Sequence, residues 1–406
     1  MTLLDPKIDN LKYEMQEETV RPAARVKVIG IGGGGANAVA HMMAAGLQGV
    51  EFHALNTDLQ ALSACPVPNK LSVGCEVTHG RGAGGDPEVG KQAALEDTER
   101  IVEILQGADM VFVTAGLGSG TGTGAAPVVA SMAKEMGALT IAVVTTPFAF
   151  EGTRRLRQAE EGLAKLAESV DTVITVPNER LLALAPRGTT ILEAFRLGHD
   201  FLRQTVQDIV EIVTTPGFIN RDFSDIRSAL FGMGHATLGT ATARGENAAT
   251  EAARQAISCP LVEASGIRGA RNVLLNVTGS SSLGLHEVND ACVMIREATG
   301  CDDVQLNFGL VLNEEMGDAV KVTVIATGFG TRAPAAPEPA APPDTTGWLS
   351  EIQSDPVVAV PAGTPAEAAG EQLAAEVSSN GSARTEPVDL DDIDTPAYLR
   401  QRRVLR

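Results

Sequence analysis

Apolar residues in this chain come in short unbroken runs, each followed by a stretch in which they recur every three or four positions. Val26–Ile29, Glu51–Leu55, Met110–Thr114, Thr140–Thr145 and Thr172–Val176 are the runs. Their length and Val/Ile content suit buried strands. Helical patterns fill the intervals, from about Ala38, across Glu88–Gln106 and across Pro127–Met136. The longest is Ile191–Val213, where Phe195, Gly198, Leu202, Val206, Ile209 and Val213 recur at helical spacing until Thr214-Thr215-Pro216-Gly217 ends it. Strands alternating with helices predict an α/β fold built on a parallel sheet. Beyond the long helix, Ala248–Ser258 and Leu285–Ala298 read as helices. Asn272–Val277, Gln305–Leu312 and Ala319–Thr327 read as strands, so a smaller mixed α/β unit follows. The pattern then stops. Residues 331–388 hold nine of the 21 prolines and few large apolar side chains, which predicts a disordered linker. The expected organisation is a flexible tail (1–24), a parallel-sheet nucleotide-binding domain (25–190), a central helix (191–215), a second domain (216–330), the linker, and a terminal segment (389–406).

Composition narrows the chemistry. The 406 residues carry a net charge of −19 and are 44% hydrophobic. That balance supplies a core and argues against nucleic acid as a partner. The five cysteines form no C-x-x-C pair and have no His at zinc spacing, which predicts reduced thiols in a cytosolic protein. No stretch approaches the roughly 20 apolar residues of a membrane helix, and residues 1–25 lack the apolar core of a signal peptide. A soluble cytoplasmic protein with no direct membrane insertion is expected.

The candidate chemistry lies in glycine-rich loops between strands and helices. Ala115–Pro127 reads A-G-L-G-S-G-T-G-T-G-A-A-P. Glycine lets backbone approach a ligand closely, and successive N–H groups at a helix start make a phosphate site. Gly30-Ile31-Gly32-Gly33-Gly34-Gly35-Ala36-Asn37 is a second such loop. Alone it also satisfies the G-x-G-x-x-G dinucleotide fingerprint, which leaves an NAD-dependent oxidoreductase open. Arg81-Gly82-Ala83-Gly84-Gly85-Asp86-Pro87 is a third. No G-x-x-x-x-G-K-[ST] is present, so phosphate charge must be met by backbone amides and a bound cation, not by a loop lysine.

Gly118-Ser119-Gly120-Thr121-Gly122-Thr123-Gly124 resembles the G-G-G-T-G-T-G signature of the tubulin and FtsZ family, with Ser119 as a departure. Other stretches resemble that family in the same order: the Gly32–Asn37 loop, Asn56-Thr57-Asp58, Pro147-Phe148-Ala149-Phe150-Glu151-Gly152-Thr153-Arg154-Arg155 and Asn220-Arg221-Asp222-Phe223-Ser224-Asp225. The resemblance implies a tubulin-like fold and GTP or GDP with Mg²⁺, and it admits K⁺. It assigns the nucleotide to Gly33, Gly34, Gly35, Ala36, Asn37, Gly116, Gly118, Gly120, Thr121, Gly122 and Thr123. Glu151, Arg155 and Asn178 would meet the ribose and nearby groups. Phe195 would stack on the base, with His199 where an Asn or Asp is expected. Asn220, Asp222 and Asp225 would complete hydrolysis on the neighbouring subunit's nucleotide, with no metal ligands from the side chains of one subunit alone. Read without the family, Glu151 and Arg155 also suit a solvated helix turn, Asn178 a helix cap, and the two aspartates an ordinary helix start. The resemblance further implies head-to-tail homopolymers, a ring at the mid-cell division site, and a tail that binds FtsA-type membrane tethers and other division proteins. Asp389–Arg403 resembles the family tail, with Ile393, Pro396, Tyr398 and Leu399 facing a groove. A non-hydrolysing structural paralogue is the other family reading.

Overall fold

The chain enters the fold at β1 (Val26–Ile31) and winds at once into α1 (Gly32–Ala44). It continues through β2 (Val50–Asn56), α2 (Leu59–Ala64), β3 (Asn69–Ser72), α3 (Cys75–Thr78), α4 (Pro87–Glu96), α5 (Thr98–Leu105) and β4 (Met110–Gly116). Next come α6 (Gly120–Glu135), β5 (Leu139–Thr146), α7 (Thr153–Ser169), β6 (Thr172–Pro177) and α8 (Asn178–Leu184). The long α9 (Ile191–Thr214) leads to α10 (Phe223–Leu230), β7 (Gly234–Arg244), α11 (Ala248–Ile257), β8 (Asn272–Gly279), α12 (Leu285–Thr299), β9 (Gln305–Leu312) and β10 (Ala319–Thr327). This computed structural model describes residues 24–184, 188–214, 222–259 and 266–329. The expected linker, the terminal segment and nearly all of the N-terminal tail lie outside the described residues.

Among the described residues the strands form one sheet in the order β3-β2-β1-β4-β5-β6-β7-β10-β8-β9. From β3 to β7 every neighbour is parallel, while β10 runs antiparallel to both β7 and β8. The order 3-2-1-4-5-6 is that of a doubly wound nucleotide-binding sheet. It reverses direction between β1 and β4. Strands with helices on both faces must be apolar throughout, and β4 is buried from Met110 to Ala115. Val26 and Val28 of β1 pack with Ala38, Val39 and Met42 of α1, whereas Ile29 and Ile31 pack with the α5 and α6 side.

Helix α9 is the mortar between the two parts of the sheet. Strands β6 and β7 pair at only three positions, Thr172↔Gly234 to Ile174↔Ala236. Leu202, Val206, Ile209 and Val210 of α9 bury into a cluster that also holds Ile141, Ile226, Leu238, Leu274 and Ile325. Each such side chain contributes about 1.5–3 kcal/mol on burial. A capping box fixes the start of α9: Thr190 N–H donates to Glu193 Oε2 at 2.8 Å, and Glu193 N–H donates to Thr190 Oγ1 at 3.2 Å. The Thr190 N–H and then its hydroxyl, both donating to that carboxylate, hold the Glu193 carboxyl below its ordinary pKa.

Near its other end α9 meets β10 through charge. Lys321 Nζ lies 2.7 Å from Asp208 Oδ1 and 3.0 Å from Glu211 Oε2, and the Asp208 side chain is 1% exposed. Burial pushes the Asp208 carboxyl up, and Lys321 opposes it. A carboxyl raised on folding adds stability below its unfolded pKa, and that contribution is lost as pH climbs through the native value. Acidifying from pH 7 toward the unfolded value is therefore expected to raise the melting temperature more in the wild type than in Asp208→Asn. Thermal melts across that window read the difference.

Several sequence expectations need correcting. The first helix starts at Gly32 rather than about Ala38, and the signature-loop helix starts at Gly120, with Pro127 inside it. Poor helix formers open both helices because close packing demands glycine there. A Cβ on Gly35 would stand 2.3 Å from the Thr114 carbonyl oxygen, and one on Gly124 would stand 1.9 Å from that of Pro87. The Glu88–Gln106 pattern is two helices, α4 and α5, broken at Asp97, whose carboxylate accepts from Gly74 N–H at 2.8 Å. Strand β7 was not foreseen. Its G-H-A-T-L-G-T-A-T-A-R sequence lacks an apolar run.

Candidate nucleotide site

Two helix N-termini meet at the carboxyl ends of β1 and β4, where the strand order reverses. A Cβ on Gly32 would stand 3.0 Å from the Gly122 nitrogen, and one on Gly34 would stand 3.4 Å from the Gly116 Cα. No side chain caps α1 or α6, and neither has an acid in its first turn. The first amides of a helix have no partner within it. Two sets of them, Gly32–Gly34 and Gly120–Gly122, therefore face one place with no internal counter-charge. Gly33 and Gly34 are exposed, and a Cβ on Gly33 would touch nothing. The donor set fits a phosphate chain, which helix dipoles and amides hold without lysine.

The third glycine loop closes one side. Asp86 accepts from Glu88 N–H at 2.9 Å and caps α4, with Pro87 in its first turn. A Cβ on Gly120 would fall 2.9 Å from Ala83 Cβ and from Asp86 N, so this loop presses on the start of α6. Gly118 adopts φ +85°, and a Cβ there would strike the Arg155 carbonyl oxygen at 2.7 Å. That contact brings the start of α7 to the signature loop. Sequence reasoning missed a further member, Thr57, whose hydroxyl lies 2.7 Å from that of Thr121, both buried. The signal was the Asn56-Thr57-Asp58 sequence at the end of β2.

The other expected residues line the same end of the sheet. Glu151 Oε1 accepts from Phe148 N–H at 2.9 Å, and Arg155 donates to Glu151 Oε2. Asn178 is buried at the start of α8, and a Cβ on Gly198 would lie 3.5 Å from its Oδ1. Phe195 is 37% exposed and sits edge-on to Phe148 at 5.5 Å. His199 faces α1, its ring 6.3 Å from that of His41. Burial, and then His41, lower the His199 pKa against the pull of Asp200, so its imidazole is neutral near pH 7. Asn37 is exposed on α1, one turn before His41. Gly35 and Ala36 are buried and serve packing. Thr123 is also buried, with its methyl 2.2 Å from where a Gly162 Cβ would stand, so its side chain faces α7.

Asp222 and Asp225 lie on a separate element from the glycine loops. They open α10, where both are exposed, and the Asp222 side chain makes no cap bond. The carboxyl-terminal ends of α9 and α10 both lie at the amino ends of the strands. Thr214 packs against Gly49, just before β2, and the Leu230 carbonyl accepts from Thr172 at the start of β6. Asn220, Ile393, Pro396, Tyr398 and Leu399 lie outside the described residues.

The family model described as the Tubulin/FtsZ family GTPase domain matches residues 25–186, and the FtsZ family C-terminal domain matches residues 234–330. An FtsZ dimer structure from M. jannaschii, described as empty, is 35% identical, with a TM-score of 0.69 over 79% of this chain and 95% of that one. The chain belongs to the tubulin/FtsZ family. A tryptophan-to-tyrosine mutant of M. jannaschii FtsZ is 37% identical, with a TM-score of 0.70 over 76% of this chain and 92% of that one. CetZ2 from Haloferax volcanii, as a GTPγS-bound protofilament, has the same fold at 24% identity and a TM-score of 0.66, over 76% of this chain and 95% of that one. Membership puts the Gly30–Gly35 loop in a tubulin/FtsZ GTPase domain and not in a nicotinamide-nucleotide domain. It implies that this chain binds the family's ligands, GTP and GDP. No helix among the described residues is long and apolar enough to cross a membrane.

Proposed function

We propose that this chain hydrolyses GTP as it assembles head to tail into filaments of a division ring. The observation that carries this reading is the pair of uncapped, acid-free helix N-termini at the strand-order reversal. Triphosphate lies against the amides of Gly32–Gly34 and Gly120–Gly122. Ribose meets Glu151, Arg155 and Asn178, and the base lies between Phe195 and the Asn37 and His199 side. Bound Mg²⁺ would neutralise charge on the triphosphate, and Asp222 and Asp225 of the next copy would help hold it. A carboxylate of that pair accepts the proton of the attacking water, and Asn220 helps to orient the water. The glycine loops lie at the carboxyl ends of the strands while α10 ends at their amino ends, and on this reading one copy does not complete its own site. Repeated head-to-tail contact of this kind does not close, so it gives a filament. The M. jannaschii FtsZ relative was solved as a dimer. Residues 25–190, 191–215 and 216–330 act as nucleotide domain, connecting helix and activating domain. The tail around Ile393, Pro396, Tyr398 and Leu399 docks an FtsA-type tether from the cytoplasm.

Dilution tests the reading. Phosphate release per molecule is expected to fall to background below a threshold concentration, and GTP-dependent pelleting is expected to vanish at the same threshold. Activity unchanged on dilution would show a self-contained monomeric enzyme. Binding and pelleting with no phosphate release would leave the non-hydrolysing paralogue.

A further inference from the structure

The buried hydroxyl pair beside the glycine loops has a direction. Thr57 Oγ1 and Thr121 Oγ1 are 2.7 Å apart, which is the length of one O–H···O hydrogen bond, and each oxygen has a proton to give. Their surroundings differ. Thr57 is 0% exposed, and among the described residues its hydroxyl has Thr121 alone as a partner. Its carbonyl accepts from the Gly82 N–H at 3.1 Å and from the Thr78 hydroxyl at 3.4 Å, so the third glycine loop holds the residue in place. Thr121 is the second residue of α6 and retains 8% exposure. A Cβ on Gly32 would stand 3.4 Å from Thr121 Cβ, which puts this side chain where the two helix N-termini meet.

We infer that Thr57 donates to Thr121 and thereby turns the Thr121 hydroxyl proton outward, onto a phosphate oxygen of the bound nucleotide. The inference rests on the functional reading above. If Thr121 donated instead, the Thr57 proton would be sealed in the core without an acceptor, and a buried donor left unpaired carries its full desolvation penalty. With Thr57 as the donor, its own proton is satisfied by Thr121 Oγ1, and the Thr121 proton is left for a ligand. That hydroxyl then joins the amides of Gly32–Gly34 and Gly120–Gly122, which also only donate. Hydrogen bonds to a charged phosphate oxygen are stronger than neutral ones. Thr57 is fully buried and acts through Thr121, so it is a positioning residue.

A double-mutant cycle of GTP affinity tests this. Thr121→Val is expected to weaken GTP binding about tenfold, the usual loss for a hydrogen bond to a charged group. Thr57→Val has nearly the same shape without the donor, and it is expected to weaken binding by at least about threefold. Thr57→Ser keeps the donor and is expected to recover most of that loss. The double variant is expected to bind no worse than Thr121→Val alone, because Thr57 acts through a hydroxyl that is then gone. Additive losses would show that Thr57 only supports the fold and would overturn the inference, as would wild-type affinity in either valine variant. Neutron diffraction from deuterated wild-type crystals reads the direction with no variant at all, and decides the case if Thr57→Val misfolds. A deuteron of Thr57 on the line to Thr121 Oγ1 supports the inference, and a deuteron of Thr121 on that line overturns it. Failure of the wild type to bind GTP would sink the functional reading instead, while the deuteron positions still judge the direction of the bond.

Discussion

Asp222→Ala is expected to leave GTP affinity within a few-fold of the wild type and to cut phosphate release by about 10²-fold or more, the usual effect of removing a positioned acid or base. The side chain is exposed at the start of α10 and makes no cap bond, so its removal has little to disturb in the fold. The uncapped amides of Gly32–Gly34 and Gly120–Gly122 are untouched by the change, so binding should persist. Nucleotide titration and phosphate assays, with a melt to check folding, separate these effects. A mixing experiment sharpens the test. Asp222→Ala copies still bind GTP but bring no acid to their neighbour, whereas copies unable to bind GTP still bring theirs. Each is inert alone, and a mixture regains turnover only when the acid comes from another molecule. Normal turnover by Asp222→Ala would remove this carboxylate from the mechanism.

The partner for that mixture is Gly33→Ala, and its contrast with Gly35→Ala is the second large effect. A Cβ on Gly33 meets nothing within 4 Å, so the fold should tolerate alanine. Helix propensity even favours it by about 1 kcal/mol. The added methyl nevertheless stands over the free amides where phosphate would lie, and GTP affinity is expected to fall at least tenfold. At Gly35 the same methyl would stand 2.3 Å from the Thr114 carbonyl oxygen and 3.1 Å from the Gly30 carbonyl carbon. Neither backbone can yield without parting β1 from β4. Gly35→Ala should lose about 1–3 kcal/mol or more of stability, read as a lower unfolding midpoint. Two neighbouring glycines thus give opposite signatures, lost binding with a sound fold and a weakened fold. Equal GTP affinity for Gly33→Ala and wild type would place the phosphates elsewhere.

Much of this was legible in the residues. The apolar runs located β1, β2, β4, β5 and β6 because parallel strands buried on both faces need nearly continuous Val and Ile. The spacing from Phe195 to Val213 located α9 within a residue. Two glycine loops after strands pointed to the place where α1 and α6 meet. Legibility failed where tertiary packing overrode local preference. Gly32–Gly35 and Gly120–Gly124 are poor helix formers, yet both are helical because only glycine lets β4 and α4 come so close. Strand β7 was invisible because Ala, Gly and Thr carry little strand signal without their neighbours. Thr57 escaped because its hydroxyl matters only once Thr121 stands beside it. The ion pairing of α9 with β10 was not legible either, since Lys321 lies 110 positions from Glu211 in sequence.

The three residue pairs that join β6 to β7 bear on how this chain can be dissected. With so short a backbone seam, cohesion falls to the oily side of α9, which both parts of the sheet share. A truncation on either side of that helix strands Leu202, Val206 and Ile209 in water on whichever fragment keeps them. The chain therefore offers no clean cutting place between its two functions, and fragments meant to isolate one of them inherit a sticky flank from the other.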